Sequence, residues 1–157
     1  MKKHVFLGLG LFGITALLAA CGQQTKAATT QRTLNVAVST EASSLDPAHA
    51  VDATSGGILE QIMTPLYDHD KDGKIIPAMA TKVVKPTDGG KTYTLTLRKA
   101  VKWSDGTPVT AKDFVYSLKR IVDPKTKTEF AYQYDAIANY HDIVAGKKSP
   151  DTLGVSA

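Results

Sequence analysis

The sequence predicts an α/β domain, a mixed sheet flanked by helices, and three observations carry that reading. Leu34, Val36 and Val38 alternate with Asn35, Ala37 and Ser39, and Tyr93, Leu95 and Leu97 with threonines, at the period of two of a half-buried strand. Residues 114–122 repeat apolar side chains at helical spacing, and turn sequences rich in Asp and Gly punctuate the chain between these segments. At 157 residues, 43% hydrophobic and 22% charged, the chain suits one domain or part of a larger one and is neither disordered nor collagen-like in composition.

Met1-Lys2-Lys3-His4 is a short cationic start, and Val5 to Leu18 is fourteen residues of hydrocarbon broken only by glycines and Thr15. A membrane helix needs about 20 apolar residues, so residues 1–20 read as a secretory signal peptide. Leu18-Ala19-Ala20-Cys21 has the form of a bacterial lipobox: small residues fit the cleaving peptidase, and the new N-terminal cysteine carries acyl chains. Each buried methylene of those chains contributes about 0.8 kcal/mol to membrane binding. Residues 21–31 are then the lipidated Cys21 and a flexible tether with nothing bulky to bury, and the folded part occupies 32–157. The expected location is the extracytoplasmic face of the cell membrane, anchored by lipid.

Within the folded part, Leu34, Val36 and Val38 predict a strand that ends by Leu45-Asp46-Pro47, where proline cannot donate to a ladder. Asp52 can cap a helix over Ala53 to Met63 that places Ile58, Leu59, Ile62 and Met63 on one side. Gly56 and Gly57 weaken its first turn, which points either to a close backbone approach there or to a later start. Leu66-Tyr67-Asp68 and Lys74 to Pro77 flank the turn Asp70-Lys71-Asp72-Gly73. A second hairpin joins Met79–Lys85 to Lys91–Arg98 around Asp88-Gly89-Gly90, and Thr92 to Leu97 is the clearest strand in the chain. After Trp103 and the turn Ser104-Asp105-Gly106-Thr107-Pro108, Thr110 and Asp113 resemble a capping box. Phe114, Val115, Leu118, Ile121 and Val122 then form one apolar stripe, and Asp123-Pro124 stops it. A further helix from Asp135 carries Ile137, Tyr140, Ile143 and Val144 inward and ends at Gly146. Leu153 to Ala157 reads as the start of a strand.

Several chemistries are unsupported. Without the leader the chain holds seventeen basic against fifteen acidic residues, and no basic run interleaved with aromatics argues for nucleic acid. One cysteine closes no intramolecular disulfide, and no Cys/His cluster has zinc spacing. Asp68, Asp70, Asp72 and Gly73 copy the first half of a calcium loop, but its twelfth position is Met79 and Pro77 obstructs the exit helix. Gly90-Lys91-Thr92 resembles the end of a phosphate loop, yet Lys85 stands at its first glycine and a strand follows. No Gly-x-Ser-x-Gly elbow occurs, and His49, His69 and His141 are isolated. No metal, cofactor or catalytic residue is therefore assigned.

The string from Thr92 through Trp103-Ser104-Asp105-Gly106-Thr107-Pro108 to Ser117, with Ser44-Leu45-Asp46-Pro47, Asp123-Pro124 and Gly146-Lys147-Lys148 leading to Leu153-Gly154-Val155, resembles the family 5 extracellular solute-binding proteins, particularly the oligopeptide-binding lipoproteins of ABC importers. The resemblance implies a periplasmic-binding-protein-like fold, here a partial first lobe. It also implies capture of extracellular oligopeptides for ABC permease subunits, without chemistry on the ligand. Peptide main-chain groups can be paired by protein backbone while side chains sit in hydrated pockets, which accounts for sequence tolerance.

In similar proteins the segment after Leu-Asp-Pro offers main-chain groups to the peptide, which here means Val51, Asp52 and Ala53. An aromatic after the Asp-Pro stop lines the cleft, here Phe130. A helix cap is the other role open to Asp52, and a core aromatic the other for Phe130. Trp103 and its turn are expected to orient the hairpin against the following helix rather than to touch ligand. Family members are roughly three to four times longer, beyond the size at which single cores divide, so the expectation is an N-terminal fragment, a truncated copy that cannot clamp a peptide alone. The alternative is a surface interaction or adhesion lipoprotein without a transport role.

Overall fold

A computed structural model describes residues 33–157. The signal peptide, Cys21 and the tether lie outside the described residues. The chain divides into Met1–Ala37 and Val38–Ala157; of the first, residues 33–37 are described and form neither helix nor strand.

In the second unit, helix α1 (Ala53–Ile62) begins where its cap predicts: the Asp52 carboxylate accepts from the Ser55 N–H at 2.9 Å. Gly56 and Gly57 sit inside this helix, and a Cβ added at either would meet nothing within 4 Å. Neither a close backbone approach nor a late start is present. Strands β1 (Tyr67–His69) and β2 (Ile75–Pro77) pair antiparallel. Their turn is closed by Asp70, whose Oδ1 accepts from the N–H groups of Asp72 and Lys74, both at 2.9 Å. That carboxylate serves an Asx turn, the use its position between two short strands predicts.

The second hairpin runs from Met79 to Arg98, pinned antiparallel at Ala80–Leu97 and at Thr87–Thr92. Between the pins no continuous ladder forms. At its base, Ala80 is fully buried, its N–H reaching Leu66 O at 3.1 Å, while the Arg98 guanidinium donates to Ala78 O at 2.6 Å. These contacts join the two hairpins. A third turn follows: Lys102 bridges Pro108, Trp103 N–H donates to Thr107 O at 2.8 Å, and Asp105 accepts from the Thr107 hydroxyl at 2.7 Å. The Thr107 hydroxyl first, and then its N–H, hold the Asp105 carboxyl below its ordinary range. Gly106, at φ +89°, supplies the left-handed residue that this turn requires.

Helix α2 (Ala111–Val122) opens with the predicted capping box, Thr110 and Asp113 each accepting from the other's backbone, and stops at Asp123 before Pro124. Its stripe supplies the core: Val122, Tyr140, Ile143 and Leu153 are buried together, with Leu118, Ile121, Ala131 and Ile137 packed against them.

Four expected elements differ. Thr92 to Leu97, expected as the clearest strand, forms only isolated bridges with the other arm of its hairpin, because seven steps from Ala80 to Thr87 face five from Leu97 to Thr92 and no common register runs between them. Leu34, Val36 and Val38 form no strand among the described residues; alternation supplies a face, but a ladder also needs a partner. The helix expected from Asp135 is instead a 3₁₀ turn at Ala131–Tyr134, then turns, then a short α3 (Tyr140–Val144). Asn139 adopts φ +69° and interrupts it. Ile143 still reaches the core, whereas Val144 does not. Leu153 to Ala157 is no strand: a 3₁₀ turn at Pro150–Thr152 delivers Leu153 to the core, and Gly154 N–H donates to Ala138 O at 2.9 Å. Among the described residues the sheet is the β1–β2 pair and isolated antiparallel bridges.

At Gly154 a Cβ would stand 2.7 Å from that of Ala138. Gly154→Ala is expected to cost about 1 kcal/mol, the low end for overpacking because the segment is irregular and can yield; the urea midpoint reads it, and an unchanged midpoint contradicts the close approach.

Candidate functional site

The segment 43–55 is organised by two aspartates. Asp52 caps α1 and gathers further donors: the Ser43 hydroxyl donates to its Oδ2, the Ser55 hydroxyl donates to the same oxygen at 2.6 Å, and the Ser43 N–H does so at 3.2 Å. The Ser43 hydroxyl first, and then that of Ser55, hold this carboxyl well below the ordinary range. Ser55 is fully buried beneath the cap.

Asp46 organises the preceding turn. Its N–H donates to the Ser44 hydroxyl at 3.0 Å, and its Oδ1 accepts from Ala48 N–H at 3.0 Å. Both carboxylate oxygens then accept from Arg120 of α2, one of them at 2.8 Å and the other from Nη2. This is a bidentate pair across 74 positions of sequence. The Arg120 guanidinium is the main cause holding the Asp46 carboxyl well below its ordinary range, with the Ala48 N–H next.

A second strut arrives from beyond the Asp123-Pro124 stop. The Thr128 hydroxyl donates to Ala48 O at 2.6 Å and accepts from Phe130 N–H at 3.1 Å. One side chain therefore ties the stretch leading to Val51 to the stretch leading to Phe130.

Val51 is exposed, and its main-chain N–H and C=O make no backbone hydrogen bond among the described residues. Asp52 is the helix cap, with its carboxylate fully engaged. Ala53 opens α1, where first-turn N–H groups have no helical partner. Phe130 is half-buried, and it is absent from the side chains packed on the core. Beside these segments, Pro47, Ala48, Met63, Trp103, Tyr116 and Arg120 border a concavity of about 360 Å³. Trp103, 49% exposed, lines it together with residues of α2. Tyr116 is 69% exposed. No group of three or more His, Cys, Asp or Glu able to hold a metal occurs among the described residues.

Sequence reasoning missed Arg120, Thr128, Ser43 and Ser55. The one available signal was that Tyr116, Ser117 and Arg120 fall together on the face of α2 opposite its apolar stripe.

Residues 74–156 match the family model described as "Bacterial extracellular solute-binding proteins, family 5 Middle". The chain is 40% identical over 161 residues to the dipeptide-binding protein of Lactococcus lactis subsp. cremoris and 38% identical over 165 residues to the oligopeptide-binding protein OppA of Bacillus subtilis. Each alignment takes in the whole of this chain, but 28% and 30% of those relatives. The structure of Listeria monocytogenes OppA bound to peptide superposes with a TM-score of 0.75 at 44% identity, covering 79% of this chain and 24% of that one. The fold is accordingly part of a periplasmic-binding-protein lobe. With more than half of its length matched, and the Asp46 and Trp103 segments set against one helix, the chain belongs to the family 5 extracellular solute-binding proteins.

Proposed function

We propose that the chain contributes part of one lobe of a receptor that captures extracellular oligopeptides for an ABC importer. The observation that carries this reading is the 44% identity, at a TM-score of 0.75, to a structure that holds peptide. The local geometry supports it. Val51 presents both main-chain groups, and Ala53 its first-turn N–H, without backbone partners, and Thr128 links their segment to Phe130. A peptide backbone is recognised by such groups independently of its side chains. Because the chain spans under a third of the relatives above, capture needs the remainder of a clamp.

The reading includes a lipid anchor on Cys21, supported by the Leu18-Ala19-Ala20-Cys21 sequence. Mass spectrometry of the cell-associated protein is expected to find diacylated Cys21, and an unmodified, freely secreted product would remove the anchor.

The test of capture is a graft. Residues 33–157 replace the matching part of the Lactococcus dipeptide-binding protein, and peptide binding is measured by calorimetry. The graft is expected to bind, and Phe130→Ala within it to weaken binding about tenfold, the loss of one aromatic contact. A graft that melts cooperatively yet binds no peptide overturns the proposal.

A further inference from the structure

Charge in this protein is segregated. Residues 79–102 contain six basic side chains and one acid, whereas the rest of the chain beyond the leader contains eleven basic against fourteen acidic residues. The second hairpin, with the four residues that lead from it into the third turn, is a cationic arm on a net acidic body. Arg98 is occupied by the carbonyls of Pro77 and Ala78 at its base. The other five, Lys82, Lys85, Lys91, Lys99 and Lys102, are exposed, and none forms an ion pair among the described residues. The arm's acid, Asp88, accepts from the Thr92 hydroxyl at 2.8 Å within the tip.

Apolar surface accompanies the charge. In the same arm Tyr93 is 58% exposed, Val83 51% and Leu95 38%. Lys82 and Lys85 border, with Val83, Val84 and Thr94, a shallow concavity of about 500 Å³. Long cationic side chains beside an exposed tyrosine and aliphatic groups match the interfacial zone of a bilayer, where ammonium groups meet phosphates and rings lie at headgroup level.

We propose that this arm, residues 79–102, docks on membrane surfaces rich in anionic phospholipid. The charge separation also sets the orientation, since the acidic body is repelled from the surface that attracts the arm. The proposal does not rest on the acyl anchor or on peptide capture, and its test excludes the anchor.

Full-length Cys21→Ser protein, which cannot be acylated, is partitioned onto vesicles of pure phosphatidylcholine and onto vesicles half phosphatidylglycerol. The leader, with its apolar stretch and with Lys2 and Lys3, contributes equally to parent and variants, so the readout is the change that each variant makes in the preference for anionic over neutral vesicles. Preference for the anionic vesicles is expected to exceed tenfold in low salt and to collapse in high salt, because each lysine near such a surface contributes about fivefold. The triple variant Lys82→Gln, Lys85→Gln, Lys91→Gln should abolish most of that preference. The triple variant Lys112→Gln, Lys125→Gln, Lys127→Gln makes the same change of net charge on the body and should reduce it less than threefold. Lys82→Arg, Lys85→Arg, Lys91→Arg should retain it, which separates loss of charge from loss of fold. Equal losses in the two glutamine variants, or no preference in the parent, would overturn the proposal.

Discussion

Ile143→Ala is expected to lower stability by about 3 kcal/mol and to abolish a single cooperative unfolding transition at elevated temperature. Ile143 has no exposed surface and belongs to a cluster whose other buried members are Val122, Tyr140 and Leu153. The cluster joins α2, α3 and the turn at Pro150–Thr152, which are otherwise linked by exposed polar contacts such as Lys119–Asp151 and Asn139 to Thr152 O. Removing three methyl-sized groups forfeits their transfer free energy and leaves a cavity whose walls are held on separate elements. Val144→Ala is the matched control: Val144 is 36% exposed, and truncation there should cost under about 1 kcal/mol. Equal shifts of the urea midpoint for the two variants would show that α3 does not organise the core.

That core was partly legible in the sequence. The boundaries of α1 and α2 are written locally, by Asp52, by the reciprocal Thr110 and Asp113 pair and by Asp123-Pro124, and caps act over three or four residues. The break at Asn139 was not legible, because Ile137, Tyr140 and Ile143 keep a helical spacing even though a left-handed residue lies between them. Leu34 to Val38 shows the limit of alternation, which fixes a strand's faces and says nothing about its neighbour. Of the site, Val51 to Ala53 and Phe130 were named from family likeness. The contacts that relate them run through Arg120 and Thr128, whose partners lie 74 and 80 positions away. Such pairs leave no periodic trace. A cation opposite an apolar stripe looks the same in sequence whether it meets water or a carboxylate.

Asp46→Asn should expose that difference. The Asp46–Arg120 pair is bidentate, but about a third of each side chain remains in solvent, so its loss is expected to cost about 1.5 kcal/mol at neutral pH, the lower end for a charge-assisted hydrogen bond. A cycle with Arg120→Met should return most of that as coupling, because the two changes remove one interaction. The pH dependence gives an independent reading. Asp46 and Asp52 are both held below the unfolded value of about 3.9, so folding binds fewer protons than unfolding in that range. Their stabilisation is fully present above about pH 5 and is lost as pH falls below about 4 toward the lowered folded values. The difference between parent and Asp46→Asn should therefore shrink steadily between pH 5 and the acid limit of the measurement, leaving the slope due to Asp52, which Ser43→Ala should in turn flatten. A constant difference across that range would mean that Asp46 acts through the shape of its turn rather than through its charge, and that Arg120 does not hold the segment bearing Val51 in place.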